Sequence, residues 1–80
     1  MSSVLVVDDS KVNLEVYSRV LKQVEDLKVL SFSSSRDAFS WTLNNQPDLI
    51  VIDYRMPAMN GIEFVRAFRA KSANADVPIV

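Results

Sequence analysis

Two apolar runs in this chain end in acid. Val4-Leu5-Val6-Val7 leads into Asp8-Asp9, and Leu49-Ile50-Val51-Ile52 leads into Asp53. Carboxylates at such positions suit two tasks: holding a hard divalent cation through oxygen and serving as a nucleophile. Three carboxylates gathered within a few ångströms cannot all stay ionised unless a cation joins them or one takes up a proton. If the runs lie side by side, the pattern points to a divalent-metal pocket that holds one reactive aspartate. The chain has no cysteine and no histidine. That removes disulfides, thiolate zinc, histidine-ligated metals and Ser-His-Asp or Cys-His catalysis. Any metal must therefore be oxygen-bound, with Mg2+ or Mn2+ first in line.

The elements that must position these acids are read from periodicity. Short runs rich in Val and Ile are the mark of strands buried on both faces of a parallel sheet. Residues 3–7, 27–32 and 48–52 read as strands, and 77–80 begin a fourth apolar run. Between them, Leu14, Tyr17, Val20, Leu21 and Val24 recur at three- and four-residue steps and predict a helix over about residues 11–24. Ser34 followed by Asp37 predicts a capped second helix carrying Ala38, Phe39, Trp41, Thr42 and Leu43, ended by Pro47. Asn60 with Glu63 predicts the start of a third, with Ile62, Phe64, Val65 and Phe68 on its apolar side. Residues 71–76 read as a loop. Alternating strands and helices predict an α/β fold with right-handed crossovers and a parallel sheet. In open sheets of that kind ligands bind in the crevice at the strands' carboxyl ends, where the acids fall.

Composition sets outer bounds. Eighty residues with 49% hydrophobic and 24% charged side chains make one small globular domain. A net charge of −1 offers no basic field for nucleic acid. Arg66, Arg69 and Lys71 read as a solvated basic cluster, and Asp48 as a solvated acid away from the pocket. The first apolar run is too short for a secretory signal, whose core needs roughly 7–15 residues. No stretch approaches the roughly 20 apolar residues of a membrane span. The expectation is a cytoplasmic protein that binds neither membrane nor, through this segment, nucleic acid.

Taken together, Val4-Leu5-Val6-Val7-Asp8-Asp9, Asp48-Leu49-Ile50-Val51-Ile52-Asp53 and Met56-Pro57-Ala58-Met59-Asn60-Gly61 resemble the receiver domain of two-component response regulators. The resemblance covers the whole chain. It implies a flavodoxin-like, doubly wound parallel sheet, here incomplete, with about four strands and three helices in the order 2-1-3-4. Residues 1–80 would then be the N-terminal two-thirds of a receiver. The resemblance further implies phosphoryl transfer from a sensor histidine kinase or phosphotransfer protein onto Asp53, with Mg2+ or Mn2+. In that assignment Asp9 is a direct metal ligand, Asp8 an acid that holds the metal through water, and the backbone carbonyl of Arg55 a further ligand. Family members also carry a Ser or Thr ending strand four and a Lys ending strand five. Neither has a counterpart in these residues, and none is assigned in their place. The wording Asp53-Tyr54-Arg55-Met56-Pro57 resembles receivers joined to cyclic-di-GMP phosphodiesterases, and any output enzyme would lie beyond residue 80.

Several residues border the expected site. The Arg55 side chain and Asn13 would flank the acceptor and tune phosphoryl lifetime, or face solvent. Lys11 reads as exposed. Pro57 and Gly61 are read as shaping the loop after Asp53, Gly61 as the residue suited to a positive φ. Apolar surface left bare by an incomplete sheet predicts a dimer or swapped oligomer. Two further readings compete: a phosphorylation-silent interaction or dimerisation module, including an inactive fragment, and a phosphohydrolase with an aspartyl-phosphate intermediate. The second is disfavoured because Arg55 stands where such enzymes place a second Asp.

Overall fold

The computed structural model describes residues 2–53, 55–56 and 59–80. In chain order the elements are β1 (Ser2–Val7), α1 (Lys11–Leu21), β2 (Leu27–Phe32), α2 (Ser35–Thr42), β3 (Leu49–Ile52) and α3 (Gly61–Arg69), then a 3-10 turn over Ser72–Asn74. The strands form one parallel sheet in the order β2-β1-β3. Residues 77–80 run beside β3, with a parallel bridge between Ile50 and Ile79. The Ile50 N–H donates to the Pro78 carbonyl (3.0 Å) and the Val80 N–H to the Ile50 carbonyl (2.9 Å). The fourth apolar run thus takes the outer place in a 2-1-3-4 order, but as a bridge and not a full strand. Pro78 turns its carbonyl toward β3 yet has no N–H, which removes the first rung of that ladder.

Register decides what each face holds. Leu5 pairs with Leu30 and Ile50, and Val7 with Phe32 and Ile52. Alternation puts these six on one face, packed with Ala38 of α2, Phe64 and Phe68 of α3, Met56 and Val77. Phe64 stacks on Phe68 at 6.1 Å and meets Phe39 edge-on at 6.2 Å, while Trp41 tilts against Phe32 at 6.5 Å. These aromatics are core and helix-face packing. Val4 and Val6 fall on the opposite face, also buried. There α1 lies along β1 and β2, and the Ser18 and Ser31 hydroxyls hydrogen-bond at 3.0 Å.

The helix starts follow the caps. Ser10, Ser34 and Asn60 each accept a backbone N–H three residues on, and Asn60 with Glu63 completes a capping box. Two readings of α1 are corrected. The helix ends at Leu21, short of residue 24. Its seam on the sheet is Leu14, Ser18 and Leu21, which are half-buried. Tyr17, Val20 and Val24 are exposed, Val20 at 59%. The apolar stripe is wider than the contact because α1 touches the sheet along one line of side chains.

The strands' N-terminal edge also differs from expectation. Asp48 is exposed but engaged: its Oδ2 accepts the Ser3 N–H at 2.7 Å, and its own N–H donates to the Ser3 carbonyl at 2.8 Å. The expected loop at 71–76 contains the 3-10 turn and the buried Asn74. Arg69 is not part of a solvated basic cluster. Its guanidinium donates to the carbonyls of Asn74, Ala75 and Val77 at 2.8–2.9 Å, while Arg66 and Lys71 are exposed.

Candidate functional site

The crossover β1-α1-β2 winds to one side of β1 and the later chain to the other, so the sheet's winding reverses between β1 and β3. Helices lie on opposite faces there, and a crevice opens at the strands' carboxyl ends. Val7 and Ile52 are register partners, so the next residues, Asp8 and Asp53, emerge side by side. Each is tied in by one more backbone bond, Asp8 N–H to the Phe32 carbonyl (3.1 Å) and Asp53 N–H to the Val7 carbonyl (3.0 Å). Parallel pairing therefore brings together acids far apart in sequence. One carboxylate oxygen each from Asp8, Asp9 and Asp53 lies within 4.8 Å of the others.

The three differ in surroundings. Asp8 is buried, at 4% exposure. Its Oδ1 accepts the Ser10 N–H at 2.9 Å and its Oδ2 accepts the Asn13 side-chain amide at 3.2 Å. Those donors offset the several kcal/mol that a buried carboxylate loses on leaving water. Asp53 is half-buried, and its Oδ1 accepts the Arg55 N–H at 3.0 Å. Asp9 is exposed. At an effective dielectric of about 20, two carboxylates at such a separation repel by roughly 3 kcal/mol, less for Asp9 in its open position. An all-oxygen donor set of three carboxylates fits a hard divalent cation. A cleft of about 410 Å³ opens beside it, lined by Asp8, Asn13, Tyr17, Val51, Asp53 and Val80.

Other singled-out residues fall as follows. Asn13 and Lys11 are exposed on the first turn of α1, and Arg55 is exposed beside Asp53. Pro57 lies outside the described residues. Gly61 does not take a positive φ. It is buried as the first residue of α3, beside Ile52 and Ile79, so its small size, not its backbone freedom, is what the position uses.

Sequence reasoning missed two contacts. Ser35, buried at the start of α2, donates its hydroxyl to the Met59 carbonyl and so ties α2 to the segment between Asp53 and α3. In the sequence it is simply the residue after the Ser34 cap, and no local pattern marks such a long-range bond. The Asn13–Asp8 bond joins residues five apart, and a polar residue one turn into a helix that follows an acidic turn was the available signal.

A family model described as the response regulator receiver domain matches residues 4–80. The cyclic di-GMP phosphodiesterase response regulator RpfG of Xanthomonas campestris pv. campestris (strain 8004) is 35% identical over 79 residues, covering 98% of this chain and 21% of that protein. The chemotaxis response regulator CheY4 of Vibrio cholerae superimposes with a TM-score of 0.91 at 34% identity, covering 99% of this chain and 65% of that one. A chain in the structure of histidine kinase ThkA in complex with response regulator protein TrrA superimposes with a TM-score of 0.85 at 26% identity, covering 99% of this chain and 66% of that one. The chain thus spans about a fifth of that curated relative and just under two thirds of those solved chains.

Proposed function

The chain belongs to the response regulator receiver family, and on that premise we propose that Asp53 accepts a phosphoryl group from the phosphohistidine of a sensor histidine kinase or phosphotransfer protein. In the step, an Asp53 carboxylate oxygen bonds to phosphorus as the phosphorus–nitrogen bond breaks and the imidazole leaves. The product is an aspartyl phosphate. The observation that carries this is the convergence of Asp8, Asp9 and Asp53 at the carboxyl ends of neighbouring parallel strands. Asp8, Asp9, Asp53 and the Arg55 carbonyl would hold a Mg2+. When bound, such an ion would offset the carboxylate charge and the charge on the transferring group, the chief chemical need of phosphoryl transfer.

The chain's own residues supply the rest. The Arg55 N–H aims one Asp53 oxygen, leaving the other for attack. Arg55 and Asn13 border the acceptor and are read as tuning its lifetime. An acyl phosphate exchanges one negative charge for nearly two, a change able to reorganise the neighbouring loop. The solved kinase complex of a similar chain supports a kinase as donor. We read residues 1–80 as the N-terminal two-thirds of a receiver, in line with the share of CheY4 they span. Exposed Val12, Val16, Val20 and Val80 favour self-association, which sedimentation would detect as a species heavier than the monomer.

The test is incubation with acetyl phosphate and Mg2+ followed by intact-mass measurement, with Asp53→Ala beside the parent chain. One Mg2+-dependent phosphoryl adduct, absent from the variant, is expected. A folded chain that takes no adduct would instead identify a phosphorylation-silent interaction module.

A further inference from the structure

We propose that Asn13 is a positioning residue for the cation pocket, acting through Asp8. The inference rests on the reading of Asp8 as part of that pocket. Asp8 is the most buried of the three acids, so its orientation is set by protein donors more than by water. Rotation of an aspartate carboxylate about its last bond is soft and roughly two-fold. The single bond from the Ser10 N–H to Oδ1 (2.9 Å) fixes one oxygen and leaves the carboxylate plane free to swing. The second bond, from the Asn13 Nδ2 to Oδ2 (3.2 Å), fixes the plane. A carboxylate can only accept here, so the amide nitrogen must face it.

The two donors leave Asp8 with one unused lone pair on each oxygen. That suits a ligand aimed at a fixed direction, or one that acts through an oriented water. Mutating residues that orient metal ligands in this way costs roughly 10–100-fold in metal affinity or activity. The side chain of Asn13 has no other bond to make in this role. Its place on α1 is set by its backbone N–H, which donates to the Ser10 hydroxyl at 3.3 Å. Because the side chain is exposed, its removal leaves no cavity. Structural and positioning roles are therefore separable at this residue.

The experiment titrates Mn2+ into the chain and reads free ion by electron paramagnetic resonance. It compares the parent with Asn13→Leu, which keeps the shape and removes the amide, and with Asn13→Gln, which keeps the amide. Melting in metal-free buffer and acetyl-phosphate adduct formation are recorded on the same samples. Asn13→Leu is expected to weaken Mn2+ binding about tenfold with its metal-free melting temperature unchanged, and Asn13→Gln to recover part of the loss. Affinity within twofold of the parent in Asn13→Leu overturns the proposal, as does a loss that only tracks unfolding. A parent chain that binds Mn2+ in an Asn13-dependent way but takes no phosphoryl group would sink the acceptor reading and leave this role standing. Equal affinities with a normal adduct would do the reverse. A parent that binds no Mn2+ overturns both.

Discussion

At the N-terminal ends of the strands, polar groups are consumed by one another. Asp48 accepts from both the N–H and the hydroxyl of Ser3. Asn74 is bonded by Gln46 and donates to the Phe68 carbonyl, and Arg69 spends its guanidinium on three carbonyls. At the C-terminal ends the opposite holds. Asp8, Asp9 and Asp53 bring one carboxylate oxygen each within 4.8 Å of the others, with acceptor capacity left over. Both ends are rich in Asp and Asn, so residue type does not separate them. What separates them is whether the partners are internal: the first end closes the fold, and the second leaves carboxylate oxygens with acceptor capacity to spare.

That contrast makes the two ends respond differently to substitution. The largest effect belongs to the closed end. Asn74→Ala strips a buried network and is expected to cost about 2–3 kcal/mol, read by urea unfolding through Trp41 fluorescence, with Mn2+ affinity unchanged. A change in affinity there would break the separation. At the open end the sign reverses. Asp53→Asn removes one of the repelling charges and is expected to stabilise the metal-free chain by about 1 kcal/mol, while abolishing stabilisation by added Mg2+. Lower stability than the parent without metal would show that the acids do not strain the fold.

Ser35→Ala sits between the two. Loss of its bond to the Met59 carbonyl is expected to cost about 1 kcal/mol and to raise hydrogen exchange in the segment between Asp53 and α3. Protection spread evenly across the chain would count against that anchor. The smallest effect is Asp48→Ala, an exposed acid whose hydrogen bonds solvent can replace, expected below about 1 kcal/mol. A larger loss would mean that this pair sets the β1–β3 register.

The site was more legible than the packing around it. Asp8, Asp9 and Asp53 stand out because each closes a β-rich run, and strand ends are where a parallel sheet exposes its ligand crevice. The caps Ser34 and Asn60 were equally plain, since a cap and its target N–H lie three residues apart. The face of α1 was not. Its apolar residues cover more of the helix than one sheet contact can bury, so periodicity named the stripe while the seam fell on Leu14, Ser18 and Leu21. Gly61 and Arg69 were misread for a related reason: composition shows what a residue permits, and neighbours show what is used.

The sequence by itself determined the order of elements, the parallel sheet and the acids at its carboxyl edge, because strand alternation, helix caps and turn chemistry are local. Only the tertiary structure decided which oxygen of which acid has a partner. Asn13 on Asp8, Ser35 on Met59 and Arg69 on three carbonyls depend on how separate segments come to rest against each other. Hydrogen-bond partners act over about 3 Å, a distance that no spacing along the chain encodes.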